Sequence, residues 1–560
     1  MDTLLQDVAY ALRGLRKNLA FTLVAVLTLG LGIGANTAIF SVVNGVVLKP
    51  LEYSEPSRLV MITSQFPSLG FDKFWVSPPE YVELQEWNRS FEVIGAYRLG
   101  NASVGTEDAP LRVTSAIATA EFFEALGVPP LYGRTYTREE DAPGGDPVVV
   151  LSRDLWERAY GGDPALVGTS ILVDGASRTV VGIMPEGFDI EDAGVELWTP
   201  VQLDPATFPE RRGNHFLYLV GRLNPGVGLE QARQDVDAML VRWEEELPDT
   251  HTPSPEFHRM VLTDLQEEVV GDVRPALLIL LSAVGFVLLI AVANVGNLLL
   301  ARAESRQKEI AVRTAVGAGQ ARLVRQFLTE SVALGLVGGV VGLGVAAVGL
   351  RVLTAVGPGT LPRMAEISLS GSVLAFTLGI SVLTGLLFGV APLGHVGTQG
   401  AMRALREGSG RTSGKGRRRL RGTLVVAEVA LAVVLVIGSG LMIRSFGELR
   451  GVDPGFDVEN ALTFQLFLPP QGYPTPMDQQ RFLGDLQQSL QALPGVVGTT
   501  AMSGLPPLRE VNANDMKFEG LERTADGPAH NVDYWQFVSP DYFSTMGIEL
   551  VAGRAFGLQD

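Results

Sequence analysis

The sequence predicts a membrane protein: an α-helical transmembrane bundle joined to mixed α/β domains outside the bilayer. The units repeat in tandem as one span, one outer domain and three spans, with the second repeat incomplete at its C-terminus. Three observations lead there. Of 560 residues, 46% are hydrophobic and only 19% charged, and mean hydropathy is +0.23, a balance foreign to disordered chains and uncommon in soluble ones. The apolar residues cluster into five runs, each able to cross a hydrocarbon core of ~30 Å. The segments between those runs alternate between net basic and net acidic.

Residues 1–17 place Leu4, Leu5, Val8, Leu12 and Leu15 on one helical face with Arg13, Arg16 and Lys17 near its end, the pattern of an amphipathic helix lying in the cytoplasmic interface. No ionisable residue lies between Lys17 and Lys49. At ~1.5 Å rise per residue that run outreaches the bilayer core, so a first span over 18–48 tilts or projects beyond it. A cleavable signal peptide has an apolar region of only about 7 to 15 residues, so this span is retained. The remaining runs place a second span at 275–301, a third at 331–350, a fourth at 371–394 and a fifth at 422–443. The fifth carries one acid, Glu428, ~10 Å into the helix. Pairing or snorkelling toward Arg421 is one reading of it, and a proton or substrate role is the other. Asn294 and Asn297 in the second span suit interhelical hydrogen bonds. Gly30 with Gly34, Gly335 with Gly339, and Gly338 with Gly342 form GxxxG pairs that let helices approach closely.

Charge between the spans sets the orientation. Residues 1–17 hold three Lys/Arg against two Asp/Glu, 302–330 six against three, and 395–421 eight against one. The insertion 49–274 holds 18 against 38, a net of −20. Short basic segments stay in the cytoplasm while long domains translocate regardless of charge. The N-terminus, the loop 302–330 and the linker 395–421 are therefore cytoplasmic. The domain 49–274, the loop 351–370 and the second domain 444–560 are outside. The formal net charge of −17 argues against nucleic acid as a partner. The basic cluster Arg403, Arg406, Arg411, Lys415, Arg417, Arg418, Arg419 and Arg421 has no interleaved aromatic residues and suits anionic lipid, at ~1 kcal/mol per basic residue.

The domain 49–274 reads as mixed α/β. Pro78–Ser90 is a short amphipathic helix, Phe91–Tyr97 and Pro147–Leu151 are strands, and Leu155–Tyr160 is helical. Ser170–Val173 and Arg178–Ile183 flank Asp174-Gly175, a hairpin turn signal, and Glu230–Glu246 is a longer helix. The stretch Val113–Asp141 recurs at Val532–Asp560. Glu121-Phe122-Phe123 aligns with Asp541-Tyr542-Phe543, Gly127 with Gly547, and Gly133-Arg134 with Gly553-Arg554, all at an offset of 420. A helix-then-strand pattern at 479–502 likewise echoes 78–97. Continuation of the repeat predicts a natural chain of roughly 800 to 850 residues with about eight spans.

The plan of one span, a large outer domain and three spans resembles the permeases of the MacB/FtsX type that work with ABC ATPases. The stretch QKEIAVRTAVGAGQARLVRQFLTES (307–331) looks like that family's signature loop between its second and third spans. LSRDLWERAYGGDPALVGTSILVDGASRTVVGIMPEGF (151–188) looks like its periplasmic core domain. Two units in one chain resemble the duplicated permeases of acidobacteria, often called orphan. The resemblance implies the bacterial inner membrane, periplasmic outer domains, a separate cytoplasmic ABC ATPase, and room for a periplasmic adaptor or effector. In the coupling loop, Glu309, Arg313, Gly317, Gly319 and Arg322, with Arg325 nearby, would form two short helices with a bend that dock the ATPase. Taken by itself, that stretch also reads as a juxtamembrane turn on phospholipid headgroups, and residues 1–17 as either a topology anchor or a second ATPase contact. The function implied is mechanotransmission in efflux or export. The alternative is a signalling scaffold that controls a periplasmic effector without transport.

The search for enzyme chemistry returns no catalytic, cofactor or metal site. There is no Cys, which removes disulfides, thiolate ligands and Cys nucleophiles. Five scattered His leave little for a metal. SGRTSGKG (409–416) lacks the first Gly and the final Ser/Thr of a phosphate loop, and paired acids such as Glu244-Glu245-Glu246 suit a solvated surface.

Overall fold

The structure is a computed structural model. It describes residues 2–67, 70–105, 110–190, 193–208, 212–247, 253–255, 257–305, 320–356, 361–390, 415–456, 458, 460–468, 472–505, 512–515 and 532–557. It divides into two compact units, Met1–Pro50 with Val270–Gly451, and Leu51–Val269 with Val452–Asp560.

The first unit is helical. An N-terminal helix, Asp2–Lys17, breaks at Asn18 into a helix Leu19–Val43 that ends in a π-helical turn over Asn44–Leu48. The break is held by Thr22 Oγ1 donating to Leu15 O (2.8 Å) and Asn18 Nδ2 to Gly14 O (3.3 Å). Among the described residues five helices are long and apolar enough to cross a membrane: Leu19–Leu48, Arg274–Arg302, Val324–Ala355, Gly371–Gly389 and Gly422–Arg450. Two of them depart from the sequence expectation at their ends. The third-span helix begins at Gln320 and runs unbroken to Val356, so the latter part of the coupling loop belongs to that helix. Gln-Ala-Arg-Leu-Val-Arg-Gln-Phe-Leu contains no Gly or Pro, and extending an existing helix costs less than nucleating a separate one. The fifth-span helix likewise spans Lys415–Arg450, taking in the end of the basic linker.

Glycine faces set the packing of the bundle. A Cβ on Gly30 would meet Val341 Cγ1 at 2.8 Å, one on Gly34 the Gly342 carbonyl at 2.8 Å, and one on Gly338 the Leu29 Cβ at 2.9 Å. On the neighbouring face of the third span, a Cβ on Gly335 would meet the Ser381 carbonyl at 2.5 Å, and one on Gly385 the Val332 Cα at 2.7 Å. The two overlapping GxxxG registers of one helix thus serve different partners: Gly338 and Gly342 the first span, Gly335 and Gly339 the fourth. Leu29, Ile33, Leu288, Val295, Leu334 and Phe388 fill the space between them.

The second unit is built on a sheet. Its first part runs β1 (Leu59–Phe66), β2 (Phe71–Phe74), α1 (Pro78–Trp87), β3 (Phe91–Val104), β4 (Leu111–Ala118), α2 (Ala120–Leu126) and β5 (Tyr132–Gly133). It continues with β6 (Val148–Leu151), α3 (Arg153–Tyr160), β7 (Ser170–Val173), β8 (Ala176–Ile183), β9 (Leu197–Pro200), β10 (Tyr218–Leu223), α4 (Leu229–Glu246) and β11 (Arg259–Asp264). The sheet order is β11-β1-β10-β3-β4-β9-β6-β8-β5, with β2 on β1 and β7 on β3 and β8. Asp174 and Gly175 take φ of +52° and +78°, the paired left-handed geometry of a two-residue hairpin turn. β3 is twice the length expected because one strand serves two lobes: Phe91–Tyr97 pairs with β10 and Tyr97–Val104 with β4. Leu84, Trp243 and Ile62 fill the core of one lobe, Leu155, Trp156 and Val149 that of the other, and Phe122, Phe123 and Trp198 the core between.

Local structure recurs where the sequence does. Gly127 and Gly547 both take left-handed φ (+63° and +69°), as do Gly133 and Gly553 (+73° and +86°). Arg134 and Arg554 each donate from Nη1 to the next residue's carbonyl, at 3.0 and 3.2 Å. The capping box at Ser77/Glu80 has a counterpart at Thr475/Asp478, opening the helix Pro476–Gln491.

Candidate functional site: the two ends of the helical bundle

At the end of the bundle that carries Arg302 and Arg325, the N-terminal helix is tied to two spans. Arg325 Nε donates to Asp7 Oδ2 at 2.8 Å, and Asp7 is buried. Arg302, closing the second span, donates from Nη2 to Gly14 O at 3.3 Å and lies 4.8 Å from the centroid of the Phe21 ring. The spacing of Asp7 and Arg302 carried no signal of these contacts in the sequence. Arg322, on the same helix as Arg325, is exposed. Glu309, Arg313, Gly317 and Gly319 lie outside the described residues, as do Arg403, Arg406 and Arg411.

At the opposite end, Arg363 grips the terminus of the first span. Its Nη1 donates to Val46 O (3.0 Å) and Lys49 O (2.7 Å), and its Nη2 to Pro50 O (2.9 Å). Its other face meets Glu366 through Nε (2.8 Å) and Nη2 (2.9 Å), and Lys49 Nζ closes the set on Glu366 at 2.8 Å. Helix C-termini leave carbonyls without intrahelical donors, and a buried guanidinium satisfies them while complementing the helix dipole. Burial pushes the Glu366 carboxyl up, but hydrogen bonds from Arg363 and Lys49 outweigh it and hold the group below the usual carboxylate range. In the sequence this was an unremarked Arg in an outer loop.

Several polar side chains inside the bundle are engaged with the helices themselves. Asn36 Nδ2 donates to Gly32 O (2.9 Å) and across to Val284 O (2.8 Å), and the Thr37 and Thr377 hydroxyls meet at 3.1 Å. Ser41, Thr377 and Ser381 return their protons to carbonyls one turn back. The interhelical bonds expected of Asn294 and Asn297 thus come from Asn36 and Thr37. Asn294 is exposed on its helix, and Asn297 Oδ1 is buried without a hydrogen-bond partner among the described residues. Glu428 is half-buried on the fifth-span helix, which packs against the second. Its Oε1 likewise has no hydrogen-bond partner among the described residues.

The histidines are less scattered than the sequence suggested. His215 and His258 lie with ring centroids 5.2 Å apart beside Glu80.

Two family profiles match this chain: the MacB-like periplasmic core domain over residues 22–239, and the FtsX-like permease C-terminal domain over 281–400. The macrolide export ATP-binding/permease protein MacB of Wolinella succinogenes is 26% identical over 410 residues, 70% of this chain and 59% of that protein. Macrolide export ATP-binding/permease protein MacB 2 of Aeromonas hydrophila subsp. hydrophila is 30% identical over 278 residues, 49% of this chain and 40% of that protein. The crystal structure of the periplasmic region of MacB from Actinobacillus actinomycetemcomitans aligns at 10% identity with 41% of this chain and 95% of its own, TM-score 0.29. The chain spans less than two thirds of the length of these curated relatives.

Proposed function

Because the chain belongs to the MacB/FtsX-type ABC transporter permeases, we propose that it transmits motion from a separate cytoplasmic ABC ATPase to its outer domains, in efflux or export. The relatives named above carry ATP binding and permease in one protein. The 560 residues here contain no Gly-Lys-Ser/Thr phosphate-loop ending, and the proposal assigns ATP hydrolysis to a separate protein.

The observation that carries this reading is mechanical. The first span is continuous from Leu19 to Leu48. It is seated on the third span through glycine, tied at one end to the N-terminal helix and clamped at the other by Arg363. Asn36, Ser41, Thr377 and Ser381 inside the bundle bond to helix carbonyls, which suits rigid-body movement better than a hydrophilic conduit. In this reading residues 1–17, 302–330 and 395–421 face the cytoplasm, and the globular segments face the periplasm. Glu309, Arg313, Gly317, Gly319 and Arg322 receive the ATPase, and the repeated outer domain with its fifth span stands in for a second permease subunit. A periplasmic adaptor or effector would engage the outer domains.

Affinity purification from detergent, with mass spectrometry of the co-purifying proteins, tests the proposal. An ABC ATPase in stoichiometric amount supports it. Recovery of a periplasmic hydrolase or lipoprotein with no ATPase would move the protein to the scaffold reading.

A further inference from the structure

We infer that Glu80, His215 and His258 form a binding site for a divalent transition ion of the zinc class, set inside the outer domain and pinning three of its segments together. The three side chains come from the first turn of α1, the stretch entering β10 and the residue before β11. Sheet topology brings them to one place. β10 and β11 flank β1 and both run antiparallel to it, so both begin at its C-terminal end, and continuing either register sets His215 and His258 level with Phe66. Phe66 stacks on the His258 ring at 4.2 Å and 22°, and meets His215 edge-on at 5.6 Å. The bridge between Val76 and Leu217 brings the start of α1 alongside.

The ligand atoms are oriented as well as close. Ser77 N donates to Glu80 Oε2 at 3.0 Å, which leaves Oε1 aimed at the imidazoles. His215 Nδ1 lies 3.2 Å from the Gly213 carbonyl. A carbonyl can only accept, so Nδ1 carries the hydrogen and Nε2 of the neutral ring presents its lone pair, the tautomer a metal ligand needs. That lone pair faces Glu80 Oε1 at 3.3 Å, and His258 Nδ1 faces the same oxygen at 3.8 Å. Bonds of 2.0 to 2.2 Å in a tetrahedron give ligand-to-ligand edges of about 3.3 to 3.6 Å. The three ligand atoms all lie within 4.8 Å of one another.

Two imidazole nitrogens converging on one carboxylate oxygen make the mixed nitrogen and oxygen donor set of a metal site. A proton serves one donor–acceptor line, whereas a metal ion serves all three atoms. Two imidazoles select zinc-class ions over magnesium or calcium, which take oxygen. Glu80 and the His258 side chain have no exposed surface and the His215 side chain 2%, with Phe66 and Phe74 against the rings. Charge in such a pocket must be compensated. Three protein ligands leave a fourth position for water.

The test uses the full chain in detergent, stripped with chelator and titrated with Co2+ or Zn2+ alone. One Co2+ per chain is expected, with visible d–d bands of nitrogen and oxygen ligation that Zn2+ displaces. Zn2+ at about a hundredfold excess over Kd should raise Tm by roughly 5 to 10 °C. His258→Gln and His215→Gln should abolish the bands and the Tm rise. Glu80→Gln, which keeps an oxygen for the Ser77 cap, should weaken binding at least tenfold while the chelated protein unfolds near the wild-type Tm. The inference is overturned if folded wild-type protein shows neither bands nor a metal-dependent Tm. Bands that survive His258→Gln would overturn it too, as would stability that responds to pH between 5 and 8 but not to metal, since the rings would then hold a proton.

Discussion

Arg363 and Asp141 are two residues where local electrostatics make measurable demands on this fold. Arg363 is 5% exposed and satisfies carbonyls of Val46, Lys49 and Pro50 at once. Replacing it with Gln strands those carbonyls and leaves Glu366 with Lys49 alone. A loss of about 3 kcal/mol is expected, read as a lower Tm in detergent and as faster proteolysis after Lys49. Asp141 accepts from Gln202 N through Oδ1 (3.0 Å) and from Ala120 N through Oδ2 (3.1 Å). Burial nevertheless dominates and pushes its carboxyl up to about 6. The folded state then holds this proton more tightly than the unfolded chain, so the stability it contributes is greatest below pH ~4 and declines as pH rises toward 6. Asp141→Asn should remove about 2 to 3 kcal/mol of that pH dependence, measured by comparing denaturation midpoints of variant and wild type at pH 4.5 and 7. A variant as pH-sensitive as the wild type would refute the assignment. Neither residue stood out in the sequence, because an Arg in a short loop and an Asp after two Glu look like solvated charge until the chain folds around them.

Among the elements, the third span is the one whose two faces do different work. Gly342→Leu would drive a branched side chain into Gly34 N and Gly30 O, which a Cβ alone approaches at 2.9 and 3.1 Å. An overpacking cost of roughly 1 to 3 kcal/mol follows, together with separation of the first and third spans. Gly344→Leu, where a Cβ meets nothing within 4 Å, serves as the control and should leave Tm unchanged. Disulfide trapping between Cys pairs introduced on the first and third spans reads the separation. The GxxxG spacing was visible in the sequence, as were the α1, α3 and α4 helices and the Asp174-Gly175 hairpin, because each depends on residues within a turn or two of one another. Which register of glycines met which neighbour was not visible, since all four third-span glycines fit either partner equally well.

For the whole molecule, coupling and sidedness are the properties to test. If the proposed partner ATPase docks there, Arg313→Glu or Gly317→Pro is expected to abolish its stimulation while the outer domain keeps its wild-type unfolding transition. Undiminished stimulation would place docking elsewhere. Because the chain has no Cys, single Cys replacements report sidedness without background. Glu157 and Arg322 are both exposed, and an impermeant maleimide applied to intact cells with a permeabilised outer membrane should label a Cys at 157 and spare one at 322. The sequence by itself located the five long apolar helices, the alternating charge between them, helices and turns of the domain at 49–274 and the family motifs. Hydropathy, net charge and capping are properties of contiguous residues, so a one-dimensional reading recovers them. Tertiary structure alone decided that Arg363 closes the first span, that β3 serves two lobes, that Asn36 rather than Asn294 bonds across helices, and that Glu80 meets two histidines. Those outcomes depend on strand register and helix rotation, which are set by the packing of segments far apart in the chain.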